Sequence, residues 1–153
     1  VFDDSDDLAA VAAGVSRFLA VESCGQCTPS KQDGLLLADL LGKVCRNEAR
    51  DHDLAEITKR ASTVGDRARC YLALQHQAVV TSIVERFGDA LTAHLEQAAD
   101  KVEPALVAEL VDVSAGRATV DEHFRDKQPD WTYDETYSGQ APADRFAEHR
   151  ADR

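Results

Sequence analysis

Residues 22–44 read ESCGQCTPSKQDGLLLADLLGKV. Two cysteines, Cys24 and Cys27, stand three apart with Gly25 between them and Pro29 close behind, and the next three-residue step falls on Ser30. Beyond Ser30, Leu36, Leu37, Leu40, Leu41 and Val44 recur at helical spacing on one broad face. A helix is expected to begin near Ser30, with that serine as its N-cap. Ahead of the loop, Leu8, Val11, Ala12, Val15, Phe18 and Leu19 keep the same period, so a helix is expected over about residues 5–21. The stretch is therefore a short, cysteine-bearing loop between two amphipathic helices.

The same pattern continues outward. RNEARDH breaks the second helix, and Leu54, Ile57 and Ala61 mark a third over about residues 52–63. STVGDRAR reads as a turn. A fourth helix, expected to be the longest, runs from about Ala68 to Phe87, and after Gly88 DALTAHLEQAAD forms a fifth. The expectation for residues 1–100 is a mainly α domain, a helical bundle of four to five helices with short connections. Residues 101–153 form a C-terminal extension of different composition. β-Branched residues flank Ser114-Ala115-Gly116, which favours a small β-hairpin, with helix as the competing reading. KQPDWTYDETYSGQAPADRF then suggests an extended tail. Its aromatics Trp131, Tyr133 and Tyr137 are expected to pack on the helical body or on a partner chain.

Composition narrows the function. The 153 residues are 44% hydrophobic and 29% charged, an ordinary balance for one domain with a core. No apolar run approaches the roughly 20 residues that span a bilayer, so membrane insertion is not expected. The net charge of −11 argues against nucleic acid as a partner. The opening VFDDSDDL is acidic where a secretory signal is basic, and four cysteines without such a signal suit a reducing compartment, the cytoplasm. Methionine is absent even at position 1, so the chain is expected to be an excised or processed piece of something longer.

Thiolates ligate zinc and iron–sulfur clusters, and the C-x2-C spacing lets two sulfurs from one tight loop reach one centre. On spacing alone, metal binding and a pair of unliganded thiols stand side by side. Cys45 lies about 15 residues beyond Ser30 along a helix, roughly 22 Å away, and reads as a small, half-buried apolar residue. Cys70 opens a new helix, where free N–H groups favour an anionic, thiolate-bound centre. Of the histidines, His52, His76, His94, His123 and His149, His76 would complete a Cys3His zinc site with Cys24, Cys27 and Cys70, although helical spacing turns it away from Cys70. No Ser/His/Asp arrangement has local support. The acidic runs lack the calcium-loop pattern and read as solvated caps and loops.

ESCGQCTPS closely resembles the ESCGxCTPC loop of the NADH-binding flavoprotein subunit of respiratory complex I and of related NAD-linked hydrogenases and formate dehydrogenases. The preceding VFDDSDDLAAVAAGVSRFLAV looks like the helix leading into that loop, and RARCYLALQHQAVVTSIVERFGDALTAHLE is similar to the family's later segment, where a lone cysteine starts a helix. The resemblance covers about residues 1–97. It implies a helical domain carrying one four-iron, four-sulfur cluster that takes electrons from a flavin bound by the preceding domain. Position by position, Cys24 and Cys27 match the first two ligands, Ser30 falls on the third and Cys70 on the fourth. Lys31 stands where the family commonly has arginine, and QDG holds one residue more before its glycine than the family's usual EG.

FMN and NADH are not expected on this chain, which has neither a glycine-rich phosphate loop nor alternating strands and helices. At most it is part of an NADH dehydrogenase-type oxidoreductase, without a complete active site of its own. Its expected partners are other redox subunits or a flavin/NADH-binding domain. Two functions follow. One is electron transfer on a cluster held by Cys24, Cys27, Cys70 and Ser30, as a four-iron or three-iron form. The other is a cluster-less interaction module that keeps the helical scaffold.

Overall fold

The computed structural model describes residues 5–129 and 131. Five helices occupy most of the first hundred residues: α1 (Leu8–Val21), α2 (Thr28–Cys45), α3 (Asp51–Thr63), α4 (Tyr71–Arg86) and α5 (Gly88–Leu95). A two-stranded antiparallel sheet, β1 (Leu110–Ser114) and β2 (Arg117–Val120), and one turn of 3-10 helix (Glu122–Arg125) follow. The fold is mainly α. Among the described residues no helix is long and apolar enough to cross a membrane.

α1 starts later than its periodicity suggests because Asp7 is its cap: the carboxylate Oδ1 accepts the Ala10 N–H at 2.9 Å. The buried face of α1 is rich in alanine, including Ala9, Ala12, Ala13 and Ala20. Such small side chains let the backbone of α1 lie close to α2, its principal neighbour. From α2, Leu37, Leu41 and Val44 fill the space between them and are fully buried. Ile57 of α3, Val80 of α4 and Leu91 of α5 close the same core. Burying each of these large aliphatic side chains stabilises the fold by roughly 1.5–3 kcal/mol relative to exposure.

Three expectations about the helices need correction. Ser30 is not the cap of α2. Cys27 is, with extended backbone (φ −93°, ψ 115°), because Pro29 lacks an N–H and fits the first turn, so the helix begins ahead of it. α4 begins at Tyr71 rather than Ala68, since Arg67 takes a left-handed conformation (φ 54°) that no helix continues through. That makes α2, at 18 residues, longer than the 16-residue α4.

The hairpin reading holds over helix. Ala115 and Gly116 both have positive φ (50° and 76°), the geometry of a two-residue turn whose twist matches the strands it joins. The segment ahead of the hairpin lies across the helices: the Val102 N–H donates to the Cys45 carbonyl at 3.0 Å and the Ala105 N–H to the Ala10 carbonyl at 2.9 Å. Gly14 permits this crossing, because a Cβ there would collide with the carbonyl of Ala105. After the hairpin, Phe124 stacks on Phe18 of α1 with centroids 5.4 Å apart, and Arg17 donates to the carbonyls of Arg125 and Lys127 at 2.7 and 2.9 Å. The chain from 121 to 129 is thus tied along the C-terminal half of α1. Tyr133, Tyr137 and His149 lie outside the described residues.

Candidate functional site

The loop from Glu22 to Cys27 joins the end of α1 to the start of α2, and two residues set its path. Gly25 has φ +70°, open to glycine at little cost. Ser23, almost fully buried, holds the turn with its hydroxyl, which accepts the Gly25 N–H at 3.3 Å and lies 3.2 Å from the Ser30 hydroxyl. The tight turn carries Cys24 and Cys27 to the same side, both half-buried.

α4 starts beside this loop, with Cys70 as its N-cap in extended backbone (φ −138°, ψ 170°). Cys24, Cys27, Ser30 and Cys70 all line one cavity of about 110 Å³, together with Glu22, Ser23, Leu72 and Ala73. The structure therefore brings together all four residues singled out by the family resemblance, from a loop and from a helix start 40 residues further along. Cys70 is exposed and Ser30 is 5% exposed, so the cavity opens on the Cys70 side and is sealed behind Ser30.

Two features suit an anionic centre in this cavity. Neither Cys27 nor Cys70 caps its helix through a side-chain hydrogen bond, so first-turn N–H groups of α2 and α4 stay available. Both helix N-termini meet the cavity, and their partial positive charge favours a negatively charged group there. Of the remaining lining, Leu72 and Ala73 are apolar and limit solvent access, while Glu22 and Ser23 are polar and engaged by Lys127 and by Ser30.

The donor set discriminates between kinds of metal centre. Among the described residues, no three His, Cys, Asp or Glu side chains gather as a group that could hold a metal ion. In a four-iron, four-sulfur cluster each protein ligand binds a different iron, so the ligands spread around a cavity rather than converging on a point. Three thiols and one hydroxyl around a small, partly apolar cavity fit that second arrangement, with Ser30 as the one donor that is not sulfur.

His76 and Cys45 are elsewhere. His76 is 1% exposed, its Nε2 is 2.7 Å from the Ser16 hydroxyl of α1, and it is absent from the cavity wall, so the Cys3His reading fails on geometry. Burial alone pushes its imidazole down to about 4. Cys45 sits in the hydrophobic core with no exposed surface, more buried than expected, and burial is the main cause that pushes its thiol up to about 11. Such a thiol is inert.

Sequence reasoning missed the wall formed by Glu22, Ser23, Leu72 and Ala73, none of which carries a motif of its own. It also missed where Trp131 docks. The indole lies against Gly25, where a Cβ would fall 2.5 Å from its Cδ1. Its Nε1–H donates to the Ser23 carbonyl at 3.1 Å, and the Lys31 ammonium sits 4.4 Å from the ring centroid. Lys31, one of the departures from the family's loop, is thus engaged by a residue outside the resemblance.

The mitochondrial 51 kDa subunit of NADH-ubiquinone oxidoreductase from Aspergillus niger is 22% identical to this chain over 102 residues, 67% of this chain and 21% of that protein. The chain spans about one-fifth of the length of that relative. The family described as the NADH-ubiquinone oxidoreductase-F iron-sulfur binding region matches residues 10–94, from the first turn of α1 through α5, and so takes in the cysteine loop and Cys70. With more than half of its length matched and all four positions around one cavity, the chain belongs to the NADH-ubiquinone oxidoreductase-F iron-sulfur binding region family.

Proposed function

We propose that this chain is an electron-transfer domain that holds an iron–sulfur cluster on Cys24, Cys27 and Cys70, with Ser30 at the fourth corner. The observation that carries the reading is the shared cavity of those four residues at the meeting of two helix N-termini. A bound cluster would supply one-electron carriage. The protein's own part is to present three thiolates, to offset their charge with helix-terminal N–H groups, and to keep solvent from the inner face with Leu72, Ala73 and the Ser23–Ser30 pair. A serine oxygen is a harder and more basic donor than a thiolate, so the Ser30 corner is the labile one, and a three-iron form is the natural product of its loss. Flavin and NADH would be bound by a companion domain or subunit, in keeping with a relative named as an NADH-ubiquinone oxidoreductase subunit.

The test is purification and reconstitution without oxygen, followed by iron and sulfide analysis and electron paramagnetic resonance of the reduced and oxidised forms. Three or four irons per chain, lost on Cys70→Ala and kept on Cys45→Ala, support the proposal. A colourless protein that takes up neither iron nor sulfide supports the second reading, a cluster-less assembly module. One observation favours that second reading: the buried Ser30 hydroxyl already has a partner in Ser23, so the loop is satisfied without metal.

A further inference from the structure

We infer that residues 121–129 together with Trp131 act as a strap that positions the cysteine loop, with Trp131 and Lys127 as its positioning residues. The inference takes the cavity as the cluster site, as proposed above, and lies outside the span that the family shares, residues 10–94. Three attachments carry it. Phe124 is anchored on Phe18, and Arg17 grips the backbone at 125 and 127, which fixes the strap along α1. Lys127 pairs with Glu22, the first residue of the loop and part of the cavity wall, and both side chains are more than nine-tenths covered (7% and 9% exposed). Trp131 then lies across Gly25 and donates to the Ser23 carbonyl, the backbone group directly ahead of Cys24.

The consequence is local. In a four-thiolate site the metal itself staples a loop to the rest of the fold, whereas here one corner is a serine. The strap holds the turn at its first residue, Glu22, and at its middle, Ser23 and Gly25, instead, and keeps Cys24 and Cys27 directed to the cavity in the metal-free protein. Lys31, stacked on the indole, joins the first turn of α2 to the same contact.

The experiment uses the full, metal-free chain, so its outcome does not depend on whether a cluster binds. Each cysteine's alkylation rate is measured by mass spectrometry for wild type, Trp131→Phe, Trp131→Ala and Lys127→Ala, with circular dichroism to establish that the helices remain. Without the indole, Cys24 and Cys27 are expected to react about tenfold faster, the factor that corresponds to roughly 1.4 kcal/mol of local closing free energy. Trp131→Phe, which keeps a ring over Gly25 but loses the Nε1 donor, should fall between wild type and Trp131→Ala. Cys45 should stay protected in all four proteins. Trp131 is the sole tryptophan, so its emission in wild type should be that of a partly buried indole and shift to longer wavelength in Lys127→Ala. Loop cysteines that react no faster, or acceleration that includes Cys45 as global loosening would, overturns the inference, as does wild-type emission matching free tryptophan.

Discussion

Replacing Ser30 by cysteine changes one atom at the corner where this chain departs from a four-thiolate site. Ser30 lies in the first turn of α2, 5% exposed, with its hydroxyl 3.2 Å from that of Ser23. A thiol is a weak donor and acceptor, so the substitution gives up most of that hydrogen bond, about 1 kcal/mol. For a chain of this length that corresponds to a fall of about 2–4 °C in the Tm of the metal-free protein. The loaded protein should move the other way. The new sulfur joins those of Cys24, Cys27 and Cys70 on the wall of the same cavity, and a ligand that binds only the folded chain raises its stability. Anaerobic reconstitution of Ser30→Cys should therefore bring iron to about four per chain, the content of a four-thiolate cluster. Wild type should hold less, or lose iron faster in air. Iron analysis, the visible absorption of the cluster and thermal melts with and without metal form the assay. Adding Cys70→Ala to Ser30→Cys should abolish the gain, and adding Cys45→Ala should leave it intact. A Ser30→Cys protein that keeps its helices and takes up no more iron than wild type would refute the reasoning. The loop would then have lost the geometry of a cluster site as well as one ligand.

Three further outcomes are expected. His76 titrates at about 4 in the fold, because burial disfavours the imidazolium, and near 6.5 in the unfolded chain. Its contribution to stability, about 3 kcal/mol, is thus fully present above pH 6.5 and lost as pH falls toward 4; urea unfolding across that range should show the loss, and His76→Gln should flatten it. Cys45, fully buried and with its thiol raised to about 11, should resist iodoacetamide at pH 8, so the native metal-free protein labels at three of its four cysteines and the urea-unfolded protein at all four. Asp33 accepts from Arg60 at 2.7 Å and from Thr63 at 2.9 Å and is 7% exposed; Asp33→Ala removes this acceptor while Arg60 keeps Glu56 and Thr63 keeps the Lys59 carbonyl, so it should cost about 1 kcal/mol in denaturant melts.

What could be read directly from the chain was local. Apolar side chains at helical spacing in α1, α2 and α3 report a buried face, because a helix with such a stripe is stable only when packed. β-Branched residues on both sides of Ser114-Ala115-Gly116 leave hairpin and helix as competing readings, because of the two turn residues only Gly116 takes positive φ readily. The C-x2-C loop with Ser30 reports a candidate ligand set through its match to a family loop, and the same match pointed to Cys70. The exact helix starts were not readable. They depend on single dihedral choices at Arg67 and at Cys27, where several conformations cost nearly the same in the isolated chain and packing selects one.

The remaining features arise from contacts between residues far apart in sequence, and no local pattern encodes them. Whether Cys70 faces the loop depends on how α4 lies against α1, a matter of side-chain volume at alanine-lined contacts. His76 looks like any other histidine on a helix until α1 covers it and presents Ser16. The aromatic tail announces only that its indole needs a surface. That this surface is the cysteine loop is decided by a glycine without a Cβ, a free carbonyl on Ser23 and a lysine able to lie on the ring, three partners that only the folded chain gathers around Trp131.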